Sequence, residues 1–292
     1  IRLRAIDISI IIHLLDWSHA FSLHIFCERQ LIQYRLHTTI KTCGRLKDVE
    51  EARRFHADLC HHLHLHKPWF AKDICMNNAL ISMYAKCGAF LKAQRVFDEL
   101  PRRNEASWNA LISGYGHHEQ SKEAMDCFER MCIEGFLPQP ITFTCLLKSG
   151  NDDIEKGKKI HGEVARLGFV EKDIQLGNAL IGMYAKCGML GKAQKVFNEL
   201  PCRDVISWSA LMDGYAQMGE AEKVIENFNK MMIEDVIPDV VTFLVLLTAC
   251  NHAGLLAKGL MVFDAMYSSY AVTPTLDHYT CMVDFLVRVG HF

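Results

Sequence analysis

The sequence lacks both a long hydrophobic run and an excess of charge of either sign. No apolar stretch reaches the roughly 18 residues of a membrane span, and the most apolar run, residues 6–15, is short and carries Asp7 and His13. No transmembrane helix and no membrane partner are therefore expected. Lysine plus arginine (32) nearly equal aspartate plus glutamate (34), for a formal charge of −2. This balance argues against indiscriminate phosphate binding, but not against the reading of individual bases.

The twelve cysteines lack the spacing of a secreted disulfide framework. Cys87 and Cys187 recur at one position of an internal repeat, and the others are scattered. We therefore expect free thiols in a reducing compartment. The chain also lacks an initial methionine, so its beginning is expected to be incomplete. Asp7 and Asp16 do not suit an acid-free transit peptide, and the residues alone leave the cellular address open.

One stretch occurs twice, 100 positions apart, at 78–101 and 178–201. Both copies contain Asn-Ala-Leu-Ile and then Met-Tyr-Ala-Lys-Cys-Gly. The similarity continues past the prolines, since Ser107-Trp108 is answered by Ser207-Trp208. The duplicated object is therefore larger than one helix pair, and a repeat protein is predicted.

Apolar residues at helical spacing predict a helix hairpin in each repeat. In residues 74–104 the pattern predicts a first helix around 77–86, a turn at Cys87-Gly88 and a second helix around 90–100. The next first helix is predicted from Trp108. No strand pattern with hairpin turns occurs. The predicted fold is an all-α, right-handed superhelical α-solenoid of helix-turn-helix repeats, with a concave face lined by the first helices.

The repeated phrases resemble those of plant pentatricopeptide repeat proteins. Asn-Ala-Leu-Ile-x-Met-Tyr-Ala-Lys-Cys-Gly, Lys-Ala-Gln-x-Val-Phe-x-Glu-Leu-Pro and Cys-Asn-His-Ala-Gly-Leu are similar to the subclass in which short, standard and long motifs alternate, over residues 33–292. The resemblance implies sequence-specific binding of single-stranded organellar RNA, about one base per repeat, and direction of cytidine-to-uridine editing. It implies the following segments: a degenerate or partial helical segment at 1–32, long-type repeats at 33–73, 140–173 and 240–275, short-type repeats at 74–104 and 174–204, standard repeats at 105–139 and 205–239, and a truncated short-type repeat at 276–292.

In this family the fifth and last residues of a motif choose the base, and the second residue packs against it. The pairs carried over are Asn78 with Asn104 for cytidine, Asn109 with Gln139 for a loose pyrimidine preference, Asn178 with Asp204 for uridine, and Ser209 with Asp239 for guanosine. Long motifs read less reliably: Thr144 with Asp173 favours guanosine, and Leu244 with Thr275 offers no hydrogen-bonding pair. The second positions are Cys75, Ala106, Ile141, Gln175, Ile206 and Val241. We expect the RNA to run 5′ to 3′ along the chain, and Lys86 and Lys186, at the ends of first helices, to meet phosphates.

Several residues invite other interpretations. The cluster Cys60-His61-His62-x-His64-x-His66 has metal-binding residue types but no cysteine pair, so a polar helix end is preferred. His161-Gly-Glu163 matches half of a zinc deaminase signature, yet no Pro-Cys-x-x-Cys follows. No metal, cofactor or catalytic residue is therefore expected. Trp108 and Trp208 are interpreted as core rather than as base-stacking residues. The alternative for Asn78, Asn109 and Asn178 is a role as helix-start residues.

The favoured function is an RNA-binding adaptor that recognises editing sites. The alternative is a protein-interaction solenoid of tetratricopeptide type, which has no need of the polar residues at motif ends. An enzymatic reading is disfavoured, because family members that deaminate carry a C-terminal domain ending in Asp-Tyr-Trp, whereas this sequence stops at Phe292 within a repeat. The expected chain is thus a fragment, or one served by a deaminase or editing-complex protein in trans. It is expected to be monomeric and mitochondrial, with the chloroplast as the alternative.

Overall fold

The computed structural model describes residues 38, 49–64, 74–118, 120–149 and 153–288. These residues form fourteen helices and no strand. None of these helices has the length and apolar character that a bilayer crossing requires. The predicted segment at 1–32 and most of the predicted repeat at 33–73 lie outside the described residues. The helices are α1 Val49–His64, α2 Ile74–Lys86, α3 Phe90–Asp98, α4 Glu105–His117, α5 Ser121–Ile133, α6 Pro140–Ser149, α7 Ile154–Arg166, α8 Ile174–Lys186, α9 Leu190–Glu199, α10 Val205–Gln217, α11 Ala221–Ile233, α12 Val240–His252, α13 Leu256–Ser268 and α14 Leu276–Arg288.

The chain divides into two compact units, residues 1–118 and 119–292. In the first unit, α2 packs against α1, α3 and α4. In the second unit, α6, α8, α10, α12 and α14 pack in sequence against one another, and the helices between them pack onto this layer. Within each unit, successive hairpins therefore stack through their first helices. This arrangement confirms the predicted all-α solenoid of helix hairpins.

Glycines in the left-handed region end the first helices of the duplicated stretch. Gly88 has φ of 77° and Gly188 has φ of 69°, a conformation that other residues rarely adopt. The chain then turns back, and the N–H of Ala89 donates to the carbonyl of Tyr84 at 2.9 Å. The predicted turn at Cys87-Gly88 is confirmed.

Two tryptophans form equivalent parts of the core in the two units. Trp108 and Trp208 are both buried. Each meets a phenylalanine of the preceding second helix edge to face, with ring centroids 4.6 Å apart for Phe97 and 4.7 Å apart for Phe197. The interpretation of both tryptophans as core residues is confirmed.

The first helices begin three residues earlier than the apolar pattern predicts. Helix α2 starts at Ile74 and α4 starts at Glu105. In the first turn, Cys75 and Ala106 are exposed, so they interrupt the buried apolar stripe there. The start of α4 depends instead on Asn104, whose side chain caps the helix.

Candidate nucleic-acid interface

At several sites the residue that ends a predicted repeat caps the first helix of the next repeat. Asn104, Asp204 and Asp239 have extended backbones, and each side-chain oxygen accepts the N–H of the third helical residue. The hydroxyl oxygen of the third residue accepts the backbone N–H of the capping residue, so each helix begins with a reciprocal capping box. The N–H donors and their distances are Ser107 to Asn104, 2.9 Å; Ser207 to Asp204, 2.8 Å; and Thr242 to Asp239, 2.9 Å.

Two of the predicted base-reading pairs are hydrogen-bonded. The Nδ2 group of Asn78 donates to Asn104 Oδ1 at 3.2 Å, and that of Asn178 donates to Asp204 Oδ1 at 3.0 Å. Asn78 is half-buried, whereas Asn178 is only 8% exposed. Asn78, Asn109 and Asn178 are the fifth residues of α2, α4 and α8, so their interpretation as helix-start residues is wrong. The capping positions belong to their partners.

The third pair is joined through an intermediary. The hydroxyl of Ser209 lies 3.1 Å from Thr242 Oγ1. The hydroxyl of Thr242 donates to Asp239 Oδ1 at 2.9 Å. Ser209 and Thr242 are both buried. Thr242, which is not one of the predicted base-reading residues, thus connects Ser209 to Asp239.

The remaining predicted pairs differ from these three. Asn109 lies in the first unit and Gln139 in the second, so their pairing stays a prediction. Thr144 donates its hydroxyl to the carbonyl of Pro140 at 3.0 Å, within its own helix. Because a hydroxyl has one proton, Thr144 cannot donate to another group while it makes this bond. The last residues of the predicted long motifs make other contacts. Asp173 accepts the N–H of Leu176 at 2.9 Å, and Thr275 Oγ1 lies 2.8 Å from His278 Nδ1.

All six second-position side chains are exposed, namely Cys75, Ala106, Ile141, Gln175, Ile206 and Val241. Apolar residues at the start of an amphipathic helix are usually buried, yet Ile206 is 59% exposed. Exposed apolar groups beside polar groups of limited exposure offer a base both a packing surface and a hydrogen-bonding edge. Gln175 departs from this pattern because its side chain is polar.

Lys86 and Lys186 are the last residues of α2 and α8, and both side chains are exposed. A cation at a helix C-terminus complements the helix dipole and remains accessible to a phosphate. An acidic group lies near one of them. Burial raises the pKa of Asp213 on α10, although the Gln217 amide and the charge of Lys186 act in the opposite direction.

The carboxyl group of Asp204 is held in its charged form. Partial burial acts to raise its pKa, but hydrogen bonds from the N–H and hydroxyl of Ser207, from Asn178 and from the N–H of Ile206 outweigh burial and lower the pKa. Because the carboxylate has no proton, it can only accept hydrogen bonds. The amide nitrogen of Asn178 therefore has to face it.

Sequence reasoning missed the hydroxyls of Ser107, Ser207 and Thr242. They occupy the third position of α4, α10 and α12 and are completely buried. Their signal was present as a spacing, since Asn104, Asp204 and Asp239 are each followed three residues later by serine or threonine.

The alternative chemical sites gain no support from geometry. His161 Nδ1 lies 2.8 Å from the Tyr184 hydroxyl and packs against that ring, so it joins α7 to α8. Within the described ranges, no group of three or more histidine, cysteine, aspartate or glutamate side chains is placed to hold a metal ion. The side chains of the cluster from Cys60 to His66 lie outside the described residues.

Models of one family match the sequence at several places. The PPR repeat family matches residues 103–149 and 203–252, the PPR repeat matches 78–105 and 178–205, and the pentatricopeptide repeat domain matches 228–287. Together these matches cover more than half of the sequence. The repeat model begins at Asn78 and Asn178, in a different frame from the repeats derived above, so the repeat boundaries stay predictions.

Curated relatives from Arabidopsis thaliana bear the same family name. Pentatricopeptide repeat-containing protein At2g33680 is 34% identical over 260 residues, which is 88% of this chain and 35% of the relative. The chloroplastic protein At4g25270 is 34% identical over 86% of this chain and 46% of its own length. The mitochondrial protein At1g06140 is 35% identical over 86% of this chain and 44% of its own length. The chain thus spans less than half of the length of these relatives.

A solved structure has a similar fold. The pentatricopeptide repeat protein PPR10 from maize aligns with a TM-score of 0.61 at 19% identity, over 88% of this chain and 37% of that chain. PPR10 in complex with an 18-nt psaJ RNA element aligns with a TM-score of 0.50 at 20% identity, over 83% of this chain and 41% of that chain. At such identity the likeness concerns the fold alone. With the family models and the relatives, it establishes that this chain belongs to the pentatricopeptide repeat family.

Proposed function

We propose that this chain binds single-stranded organellar RNA, reads about one base per repeat and recognises sites of cytidine-to-uridine editing. The observation that carries the proposal is the hydrogen bond between Asn178 and Asp204, repeated between Asn78 and Asn104. The second-position side chains of Ala106 and Ile206, two residues after Asn104 and Asp204 in the sequence, are exposed. A binder of peptides has no need for paired polar groups at such intervals.

RNA is the favoured partner because a single-stranded base exposes its hydrogen-bonding edge and both of its faces. The amide of Asn178 supplies a donor and an acceptor to such an edge, and Ile206 supplies an apolar contact to a face. The RNA complex of PPR10 supports the same partner class. The near-neutral charge of the chain favours binding through bases over binding through phosphates alone.

The editing role rests on the predicted motif pattern, in which short, standard and long repeats alternate. The chain is proposed to act as the recognition part, with deamination supplied by another polypeptide or by another part of the same protein. The organelle labels of the relatives At4g25270 and At1g06140 support an organellar address, and we propose the mitochondrion, with the chloroplast as the alternative.

A binding series with single-base changes tests the proposal. Oligonucleotides that carry C, a pyrimidine, any base, U and G in 5′ to 3′ order are varied only at the U, which faces Asn178 and Asp204. We expect U to bind more tightly than G by about five- to a hundredfold, because an unpaired buried polar group costs about 1–3 kcal/mol.

The matched variant is Asp204→Asn, which gives this pair the composition of Asn78 with Asn104. Asparagine and aspartate cap helices about equally well, so folding should be preserved. The preferred base at this position should shift from U towards C. Equal binding of all four bases by the unmodified chain would contradict the proposed reading.

A further inference from the structure

The hydroxyl of Ser207 lies between the two residues proposed to read one base. Its Oγ atom is 2.6 Å from Asn178 Oδ1 and 2.9 Å from Asp204 Oδ1. A hydroxyl has one proton, and Asp204 Oδ1 already accepts the N–H of Ser207 and the amide of Asn178. The shorter contact therefore takes the proton, and Ser207 donates to the carbonyl oxygen of Asn178.

An asparagine amide by itself matches either pyrimidine. Uracil presents an N–H donor beside a carbonyl acceptor, whereas cytosine presents an acceptor nitrogen beside an amino donor. The amide carries one group of each kind, and a half-turn about its last side-chain bond exchanges them. Discrimination between U and C therefore depends on what holds the amide in one orientation.

Two neighbours hold Asn178 in that orientation. The carboxylate of Asp204 can only accept, so the amide nitrogen faces it. The hydroxyl of Ser207 then holds the amide oxygen from the other side. With both groups in place, turning the amide would set two acceptors against each other at Asp204 and leave the Ser207 donor facing an N–H group.

The equivalent site in the first unit lacks the second of these contacts. Ser107 Oγ lies 2.9 Å from Asn104 Oδ1, and among the described residues the buried Oδ1 of Asn78 has no hydrogen-bond partner. Asn104 is itself an amide and can present either a donor or an acceptor. Ser107 therefore contributes to the helix cap but does not fix the orientation of Asn78.

A third site shows that the larger hydroxyl residue is tolerated. Thr242 occupies the same third position as Ser207. Its N–H donates to the capping residue Asp239 at 2.9 Å, and its hydroxyl lies 3.1 Å from the hydroxyl of Ser209. The position thus contacts both the fifth and the last residue at two sites in the second unit.

We propose that in the second unit the third residue of the following first helix is a positioning residue for base reading, and that Ser207 fixes the amide of Asn178 in the orientation that favours U over C. Thr242 has the same role for Ser209. This inference rests on the proposed function and adds a third residue to the fifth and last residues of the reading pair. A role in helix capping alone predicts a loss of stability on substitution, but no change in base preference.

The test compares Ser207→Ala with Ser207→Thr and Ser107→Ala. The measurements are the ratio of dissociation constants for oligonucleotides with C or U opposite Asn178, the same ratio opposite Asn78, and the thermal midpoint. Ser207→Ala should reduce the preference for U over C by about three- to tenfold, the usual effect of one hydrogen bond. Ser207→Thr should retain the preference. Ser107→Ala and Ser207→Ala should lower the thermal midpoint by similar amounts, because both remove a hydroxyl of a capping box. Ser107→Ala should not change the ratio of dissociation constants for C and U opposite Asn78.

Two results would overturn the inference. One is an unchanged ratio in a folded Ser207→Ala protein, and the other is an equal loss of preference in Ser107→Ala at the nucleotide opposite Asn78. If Ser207→Ala fails to fold, Ser207→Cys carries the same comparison, because a thiol keeps the shape but donates weakly. An unmodified chain without any preference for U would instead contradict the proposed function, and the inference with it.

Discussion

At the scale of single residues, two histidine–tyrosine pairs tie second helices to the first helices that follow them. His56 Nδ1 lies 2.8 Å from the hydroxyl of Tyr84, and His161 Nδ1 lies 2.8 Å from that of Tyr184. Burial lowers the pKa of both histidines, despite the opposing charges of Glu99 and Glu199. The neutral imidazole is therefore the form that fits these contacts.

The stability of the second unit should accordingly depend on the protonation of His161. Burial lowers the pKa of His161, Glu199 partly opposes this, and Lys192 and Lys195 add to it. Because the pKa is lower in the folded than in the unfolded chain, protons bind preferentially to the unfolded chain. The full stability is present above the ordinary value of 6.5 and is lost as the pH falls from there through the folded-state pKa.

Urea unfolding between pH 8 and pH 5 measures this effect in the unmodified chain and in His161→Gln. The unmodified chain should lose more free energy of unfolding on acidification than the variant. His56 titrates in both proteins, so the difference between them isolates His161. Parallel pH profiles would show that His161 does not carry the effect.

The residue scale is also where the sequence was least informative. The fifth and last residues were selected because the family pattern names them. Ser107, Ser207 and Thr242 belong to no such pattern. The hydroxyls of Ser207 and Thr242 also contact residues that lie far apart from them in the sequence, namely Asn178 and Ser209. The sequence carries the cap spacing, but only the packing of α8 against α10 brings the hydroxyl of Ser207 to the amide of Asn178.

At the scale of elements, glycines set the spacing between neighbouring first helices. A Cβ atom on Gly214 would lie 2.6 Å from Ala185 Cβ, and one on Gly114 would lie 2.1 Å from Ala85 Cβ. Real Cβ atoms do not approach this closely, so α8 and α10 in one unit, and α2 and α4 in the other, depend on a missing side chain. Close helix contact in turn brings the fifth residue of one helix to the cap of the next.

Gly214→Ala should therefore destabilise the second unit, by roughly 1–3 kcal/mol for a forced separation of packed helices. The matched control is Gly182→Ala on α8, where a Cβ would meet nothing within 4 Å. That change should raise stability by roughly 0.4–1 kcal/mol, because alanine restricts the unfolded chain. Urea midpoints of the two variants give the comparison. Similar shifts of the same sign would contradict close packing at Gly214.

The sequence predicted the helices as elements but not where they start. Leu80, Ile81 and Tyr84 recur at helical spacing and are buried, so the body of α2 was evident. The second residue of each first helix is exposed, as Cys75 is, and so interrupts the buried apolar stripe in the first turn. The beginning of the helix is decided by capping side chains such as Asn104, which a hydrophobic pattern does not detect.

At the scale of the whole molecule, the balance of charge limits how RNA can be held. Thirty-two basic residues against thirty-four acidic ones give no general attraction for phosphates. The proposed affinity must then come from base contacts, from packing on exposed second-position side chains and from a few placed cations. A shallow dependence of affinity on salt follows, because each neutralised phosphate of a single strand contributes only about 0.7 to the logarithmic slope.

Substitution of the placed lysines measures their share directly. Lys86→Gln and Lys186→Gln should each lower the salt slope by about 0.7 and weaken binding to all oligonucleotides alike. The U preference opposite Asn178 should persist, since a phosphate contact carries no base information. Lys195→Gln on α9 is the charge-matched control, because its exposed side chain lies on a second helix and pairs with Glu199 at 3.9 Å. Its salt slope should equal that of the unmodified chain. If the salt slopes of all three variants equal that of the unmodified chain, the phosphate contacts lie elsewhere. A loss of base preference in Lys186→Gln would instead show that Lys186 contributes to base reading and not only to phosphate binding.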